Sequence, residues 1–284
     1  MPTAPAQHTE IIEALKELYT LLATLGAFPE LDSEAQDTVL LPPHAPGSIN
    51  AAAASDAGYA PKAVELMSML PYLAVAGEDC GSFEILPSTR PTTFHGEDLD
   101  AGHFEDLRDL DYNGGVMPPT ALRLTRINIY GVEWIYDVDT CLLTAWEPFD
   151  DPTESENYLG VPAQPPRQAL KPVIDKYQHL DYIVRLDGCV DFSSPLFSES
   201  GGRPPKDWGP DDARVWRAQY AVWQAVRGIK DIYIDCGWDV GRPVTGQSRF
   251  DRDDFIRKRA EYWRDIVEPL VEEEAEVGRH RAGN

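Results

Sequence analysis

A chain of 284 residues, 43% of them hydrophobic, is long enough for one large domain or two small ones and can fill a packed core. Its 48 acids against 25 bases give a net charge of −23, a field that repels phosphate backbones and anionic membrane surfaces. Nucleic acid and membrane are therefore not expected as partners; a basic protein or a cationic small molecule is.

Residues 9–25 form the clearest predicted helix. Thr9 can cap it, Glu10 and Glu13 suit its positive end, and Gly26 follows its last turn. Ile11, Leu15, Leu18, Leu22 and Leu25 set one apolar stripe along it. A proline-rich connection, Leu41-Pro-Pro-His-Ala-Pro-Gly, leads to an alanine-rich helix from about Ser48, which Gly58 breaks. Pro61 stands where a first helical residue should, with Ala63, Leu66, Met67 and Leu70 on one face before Pro71.

The middle of the chain changes period. Residues 121–128, 132–138 and 141–146 are short, rich in branched and aromatic side chains, and separated by turn-sized gaps. They predict an antiparallel three-strand meander, with Phe83–Leu86 as a possible fourth strand. An acidic loop over 95–115 precedes the meander and a second polar loop over 147–168 follows it.

The last third is helical. A helix over 167–179 carries Leu170, Val173, Ile174 and Tyr177, its regular part beginning near Lys171 because Pro172 disfavours an interior position. Pro210 opens a helix through Arg227, with Asp211 and Asp212 at its start and Gly228 after its end. A final helix runs from about Asp251 to Glu268, with Phe255, Ile256, Trp263 and Val267 inward. The expectation is a flexible segment over 1–8, a single α+β domain over 9–270, an antiparallel meander flanked by N-terminal and C-terminal helices, and a disordered charged tail over 271–284.

No apolar run reaches transmembrane length, and Met1-Pro-Thr-Ala-Pro has no basic region followed by an apolar one, so the expected location is the cytoplasm. Cys80, Cys141, Cys189 and Cys236 are widely spaced single thiols, neither a zinc site nor a disulfide framework.

Several landmarks carry a resemblance. They are Gly58-Tyr-Ala-Pro, Leu70-Pro-Tyr-Leu73, Phe83-Glu-Ile-Leu-Pro-Ser-Thr-Arg-Pro91, the meander with Trp134, Asp137 and Trp146, and Cys236-Gly-Trp238. In this order the chain, over residues 10–268, resembles a large, functionally unassigned group of proteins from filamentous fungi. More distantly, its helix–meander–helix layout is similar to the SUKH superfamily of fungal cell-wall regulators and bacterial toxin-immunity proteins. That resemblance implies an interaction protein without catalysis.

Four patterns invite chemistry. Asp109-Leu-Asp111-Tyr-Asn113-Gly114 begins like a calcium loop, but Thr120 stands where the bidentate Glu should and Pro118 and Pro119 block an exit helix; a turn without calcium is expected. His95 and Glu97, with His103 or His179, offer the donors of a two-His, one-carboxylate iron site. Basic residues from Arg252 to Arg264 alternate with acids, which reads as a solvated helix face. No nucleophile elbow or phosphate loop occurs, and no cofactor motif is found.

The fourth pattern is aromatic. Trp208, Trp216, Tyr220, Trp223 and Trp238, with Asp211, Asp212 and Asp235, gather in one third of the chain. They suit either a core or a ligand site that holds a cation through ring faces and carboxylates. Two functions fit these facts. One is an acidic binding or regulatory protein recognising a basic partner; the other is a small-molecule enzyme of fungal secondary metabolism acting on an amine- or amide-bearing substrate.

Overall fold

In a computed structural model that describes residues 6–27, 38–74, 83–110, 115–128, 130–148, 157–186, 188–192, 197 and 200–282, helix α1 covers Thr9–Thr24. Its apolar stripe is buried as the spacing requires, Ile11, Leu15, Leu18, Leu22 and Leu25 all being within 1% of full burial. The fold is α+β, with antiparallel sheets and helices on both sides of them in the chain. It divides into two compact units, Met1–Ala23 with Glu30–Asp175 and Thr24–Pro29 with Lys176–Asn284, where the sequence suggests one domain over 9–270.

In the first unit, β1 (Val39–Leu40) pairs with β2 (Tyr72–Leu73) around two short helices, α2 (Ala51–Asp56) and α3 (Pro61–Met67). Asn50 caps α2, accepting from Ala53 N at 3.1 Å, and Pro61 opens α3 as its fixed φ and missing N–H allow. The meander is present with one change. The segment predicted over 121–128 splits at Leu124 into β6 (Ala121–Arg123), which joins β8 (Glu133–Asp137), and β7 (Thr125–Ile127), which joins β3 (Thr89–Pro91). At the break the Thr125 hydroxyl accepts from Trp134 N at 2.6 Å and donates to Val132 O at 2.8 Å, standing in for ladder bonds. Strand β9 (Leu142–Trp146) completes the three-stranded sheet, with β8 at its centre.

The fourth strand lies at 89–91 rather than at Phe83–Leu86. A tight turn with Ser88 at φ +55° returns the chain so that Ile85 N donates to Thr89 O, and the partner of β7 comes after the turn. Nor is 95–115 an irregular loop. Asp100 caps helix α4 (Ala101–Arg108) by accepting from His103 N at 2.9 Å, and Phe104 and Leu107 bury its inner face. Strands β4 (Asp109–Leu110) and β5 (Gly115–Val116) follow it as a paired ladder. Between them, residues 111–114 of the calcium-like stretch lie outside the described residues; Thr120 donates to Asp137 Oδ2 at 2.8 Å.

Helix α5 covers Pro166–Gln178 with Pro172 inside it, earlier than the start expected near Lys171. Pro166 at the first position suits the helix, and Pro172 removes one backbone bond while Leu170, Ile174 and Tyr177 are buried, a gain that outweighs it. In the second unit, β10 (Tyr182–Val184) and β11 (Val190–Phe192) pair antiparallel. Helix α6 (Pro210–Arg227) starts at its proline, and α7 (Ile229–Asp235) follows Gly228. Asp251 caps α8 (Arg252–Tyr262), which passes through a π-helical turn, Trp263–Val267, into α9 (Glu268–Ala282). The tail expected to be disordered is thus helical to Ala282, since Val277 is buried and α9 packs on α6.

Candidate binding site

A half-open groove of about 710 Å³ lies in the first unit. Helix α1 supplies Ile12, which stands beside the main stripe, α3 supplies Pro61, Val64 and Glu65, and Ser68 follows at its C-terminal cap. The opposite wall is the proline-rich loop, with Pro42, Pro43, His44, Ala45, Pro46 and Ile49. Prolines suit such a wall because they present apolar rings without an N–H that would need a partner.

Local bonds hold this loop in place. Ser48 N donates to Ala45 O at 3.1 Å, Gly47 takes φ +88°, and Gly96 N donates to Ser48 O at 2.7 Å. Asn50 donates to Leu99 O at 2.9 Å while it caps α2. His44 Nε2 lies 2.7 Å from Leu70 O. A carbonyl only accepts, so Nε2 carries the hydrogen of this bond. The His44 ring packs 5.3 Å from Tyr72 and 5.1 Å from His95, and Tyr72 donates to Met67 O at 2.5 Å.

Electrostatically the groove is simple. Glu65 is the carboxylate among its described lining residues, it is exposed, and no cation pairs with it among the described residues. Burial, and then the neighbouring His44, hold the His95 imidazole below its usual pKa, so it is neutral at physiological pH. Ser68, the hydroxyl in the wall, donates to Glu65 O at 2.7 Å, and no base among the described residues touches it. The groove therefore has apolar walls and one acidic lip, with no activated nucleophile among the described lining residues.

The aromatic residues singled out from the sequence fall into two groups in the second unit. Trp208, Trp216, Tyr220 and Trp223 join with Phe197, whose ring centre is 4.7 Å from that of Trp216. Trp208 is 43% exposed, and buried Trp216 leaves its Nε1 without a hydrogen-bond partner among the described residues. Asp211 and Asp212 occupy the first turn of α6, where they complement the helix dipole. Trp238 belongs elsewhere: it packs on Tyr233 and Phe250 and donates from Nε1 to Gln178 O at 3.2 Å. Asp235 is exposed at the end of α7. The eight residues are thus not one ring of rings and carboxylates, because Trp238 is used as core.

The other motifs resolve into structure. His103 Nε2 lies 3.0 Å from Thr93 O, and among the described residues no three His, Cys, Asp or Glu side chains come together to hold a metal ion. Along α8 and the π-helical turn after it, Arg257 pairs with Asp254 and Glu261, Lys258 with Asp254, and Arg264 with Asp265, while buried Arg259 donates to Gly26 O at 2.6 Å. Among the described residues no helix is long and apolar enough to cross a membrane.

The groove has no signature in the sequence as strong as that of the helices. Its visible signals were Ile12 lying off the α1 stripe and four prolines flanking α2 and α3, which no periodicity rule brings together. Compared with family models, with curated proteins and with solved structures, the chain finds a match in none of the three.

Proposed function

We propose that this protein is a non-catalytic binding or regulatory protein that captures a basic segment of a partner protein. The partner's apolar side chains seat in the groove and its flanking lysines or arginines meet Glu65 and the acidic surface. The groove carries this reading: apolar walls, one carboxylate without a cation partner among the described residues, and no activated nucleophile beside them. The net charge of −23 supports it, because a negative field speeds encounter with a cationic partner and rejects anionic competitors. The layout resemblance to SUKH interaction proteins points the same way, and a cytoplasmic location is part of the proposal.

The volume supports a second reading, since about 710 Å³ also suits a small apolar amine, as substrate or as ligand. One experiment addresses both. Fluorescence anisotropy of a labelled amphipathic Leu/Lys peptide is compared with labelled oligolysine and with dansylcadaverine, at low and high salt. Tight, salt-weakened binding of the Leu/Lys peptide alone is the expected result. Equal binding of oligolysine removes the groove from the account, and preferential binding of dansylcadaverine favours the small-amine reading.

A further inference from the structure

Three side chains from distant parts of the first unit meet at one imidazole nitrogen. His8 Nδ1 lies 2.9 Å from the Tyr136 hydroxyl and 3.8 Å from Cys141 Sγ. His8 ends the short 3-10 turn before α1, Tyr136 is in the central strand β8, and Cys141 is in the turn between β8 and β9. His8 and Tyr136 are 2% and 1% exposed, whereas Cys141 is half-buried and within reach of solvent. Cys141 has φ +57°, uncommon for a residue with a side chain. Its turn is fixed from outside: Asp137 Oδ1 accepts from Asp139 N at 2.8 Å and Thr140 N at 2.9 Å, and Lys62 pairs with Asp139.

This arrangement suits a thiolate. Gln7 Nε2 lies 3.1 Å from His8 Nε2, and an amide nitrogen only donates, so in the neutral ring Nε2 accepts and Nδ1 carries the hydrogen; the Nδ1–H and the Tyr136 O–H are then two donors beside the sulfur. Burial first, and then the neighbouring Cys141, raise the Tyr136 phenol far above its usual pKa, so it stays a donor. Burial, opposed by the Glu65 charge, lowers the His8 pKa, so the ring stays neutral and keeps this tautomer. Cys236 has the opposite setting: it is buried, burial raises its pKa, and its sulfur lies 3.7 Å from Asp254 Oδ2.

We propose that Cys141 is a nucleophilic thiol, set up by His8 and Tyr136 for covalent modification by small, neutral electrophiles. With iodoacetamide as the probe, the sulfur forms a bond to the methylene carbon as the carbon–iodine bond breaks. Iodide leaves with its electron pair, and the thiol proton passes to solvent; no oxidant or reductant is needed. The net charge of −23 disfavours anionic reagents, so iodoacetate reacts more slowly.

The test is site-resolved alkylation of the full chain, read by mass spectrometry across a pH series. Near about pH 6.5, Cys141 is expected to react at least about tenfold faster than Cys236 or free glutathione. His8→Gln and Tyr136→Phe should each slow it at that pH, with the rates converging once every thiol is ionised, a pH signature that loose packing does not produce. A wild-type rate at that pH no greater than that of free glutathione overturns the proposal whether or not either variant folds.

Discussion

Arg123 and Glu133 form an ion pair almost wholly withdrawn from water, their side chains 2% and 0% exposed. Arg123 Nε donates to Glu133 Oε2 at 2.8 Å, a second guanidinium nitrogen donates to Oε1, and Nη1 reaches Asp109 O at 3.3 Å. Oε1 also accepts from Ile127 N at 3.4 Å, so one carboxylate touches both pairings of the split strand. Removing one partner strands a buried charge. Glu133→Gln should destabilise the protein by about 3–5 kcal/mol, measured by urea unfolding, while Arg123→Met with Glu133→Leu should recover most of that loss. A single variant as stable as wild type would show that water reaches the pair.

Gly237, inside the Cys236-Gly-Trp238 landmark, takes φ +93°, and a Cβ there would meet Arg249 O at 2.3 Å. The obstacle is backbone, which cannot rotate aside. Gly237→Ala should therefore lose at least about 1–3 kcal/mol, visible as a lower melting temperature together with changed tryptophan emission from Trp238. An unchanged melting temperature would contradict this packing.

Local signals in the sequence were readable because they act over a few residues. The α1 stripe, Pro61 and Pro210 at first helical positions, and Gly58 with φ +86° after α2 all follow from periodicity or backbone sterics. Helix α4 was hidden because two apolar side chains, Phe104 and Leu107, must outweigh an acidic composition, and the Asp100 cap looks like any loop aspartate. The spacing of Trp216, Tyr220 and Trp223 announced a shared face, but nothing local separates them from Trp238. The groove was least legible, since Ile12, the loop around His44 and Val64 meet only through tertiary folding.

Stability should fall as the solution is acidified. His8 and His95 both have pKa values lowered from 6.5, chiefly by burial; Glu65 opposes the shift at His8, and His44 adds to it at His95. The unfolded chain takes up protons as the pH drops through about 6.5, whereas the fold resists until lower pH. Stability is thus complete above that value and declines from there down to the folded pKa values, by at most about 1.4 kcal/mol per unit for each ring. Urea midpoints across this range should show the decline, and His95→Gln should reduce its slope. A midpoint that rises on acidification would contradict the assigned shifts.

Charge reversal separates the groove from the aromatic cluster. Glu65→Lys should weaken Leu/Lys peptide binding by about tenfold, mainly through slower association, because the charge at the groove lip is inverted. Asp211→Lys with Asp212→Lys should change that affinity far less, while reducing stability by about 0.3–1 kcal/mol per residue at the start of α6. Stopped-flow association rates at two salt concentrations distinguish the two cases. A larger effect from the aspartate pair would move the site to Trp208 and its neighbours.

A basic segment seated in the groove would cover both of its walls. Hydrogen–deuterium exchange of the full chain, with and without the Leu/Lys peptide, reads this without any mutation. Exchange should slow in residues 42–49 and 61–69, the two walls of the groove, and change little over 208–223. Protection confined to 208–223, with 42–49 and 61–69 unaffected, would contradict it.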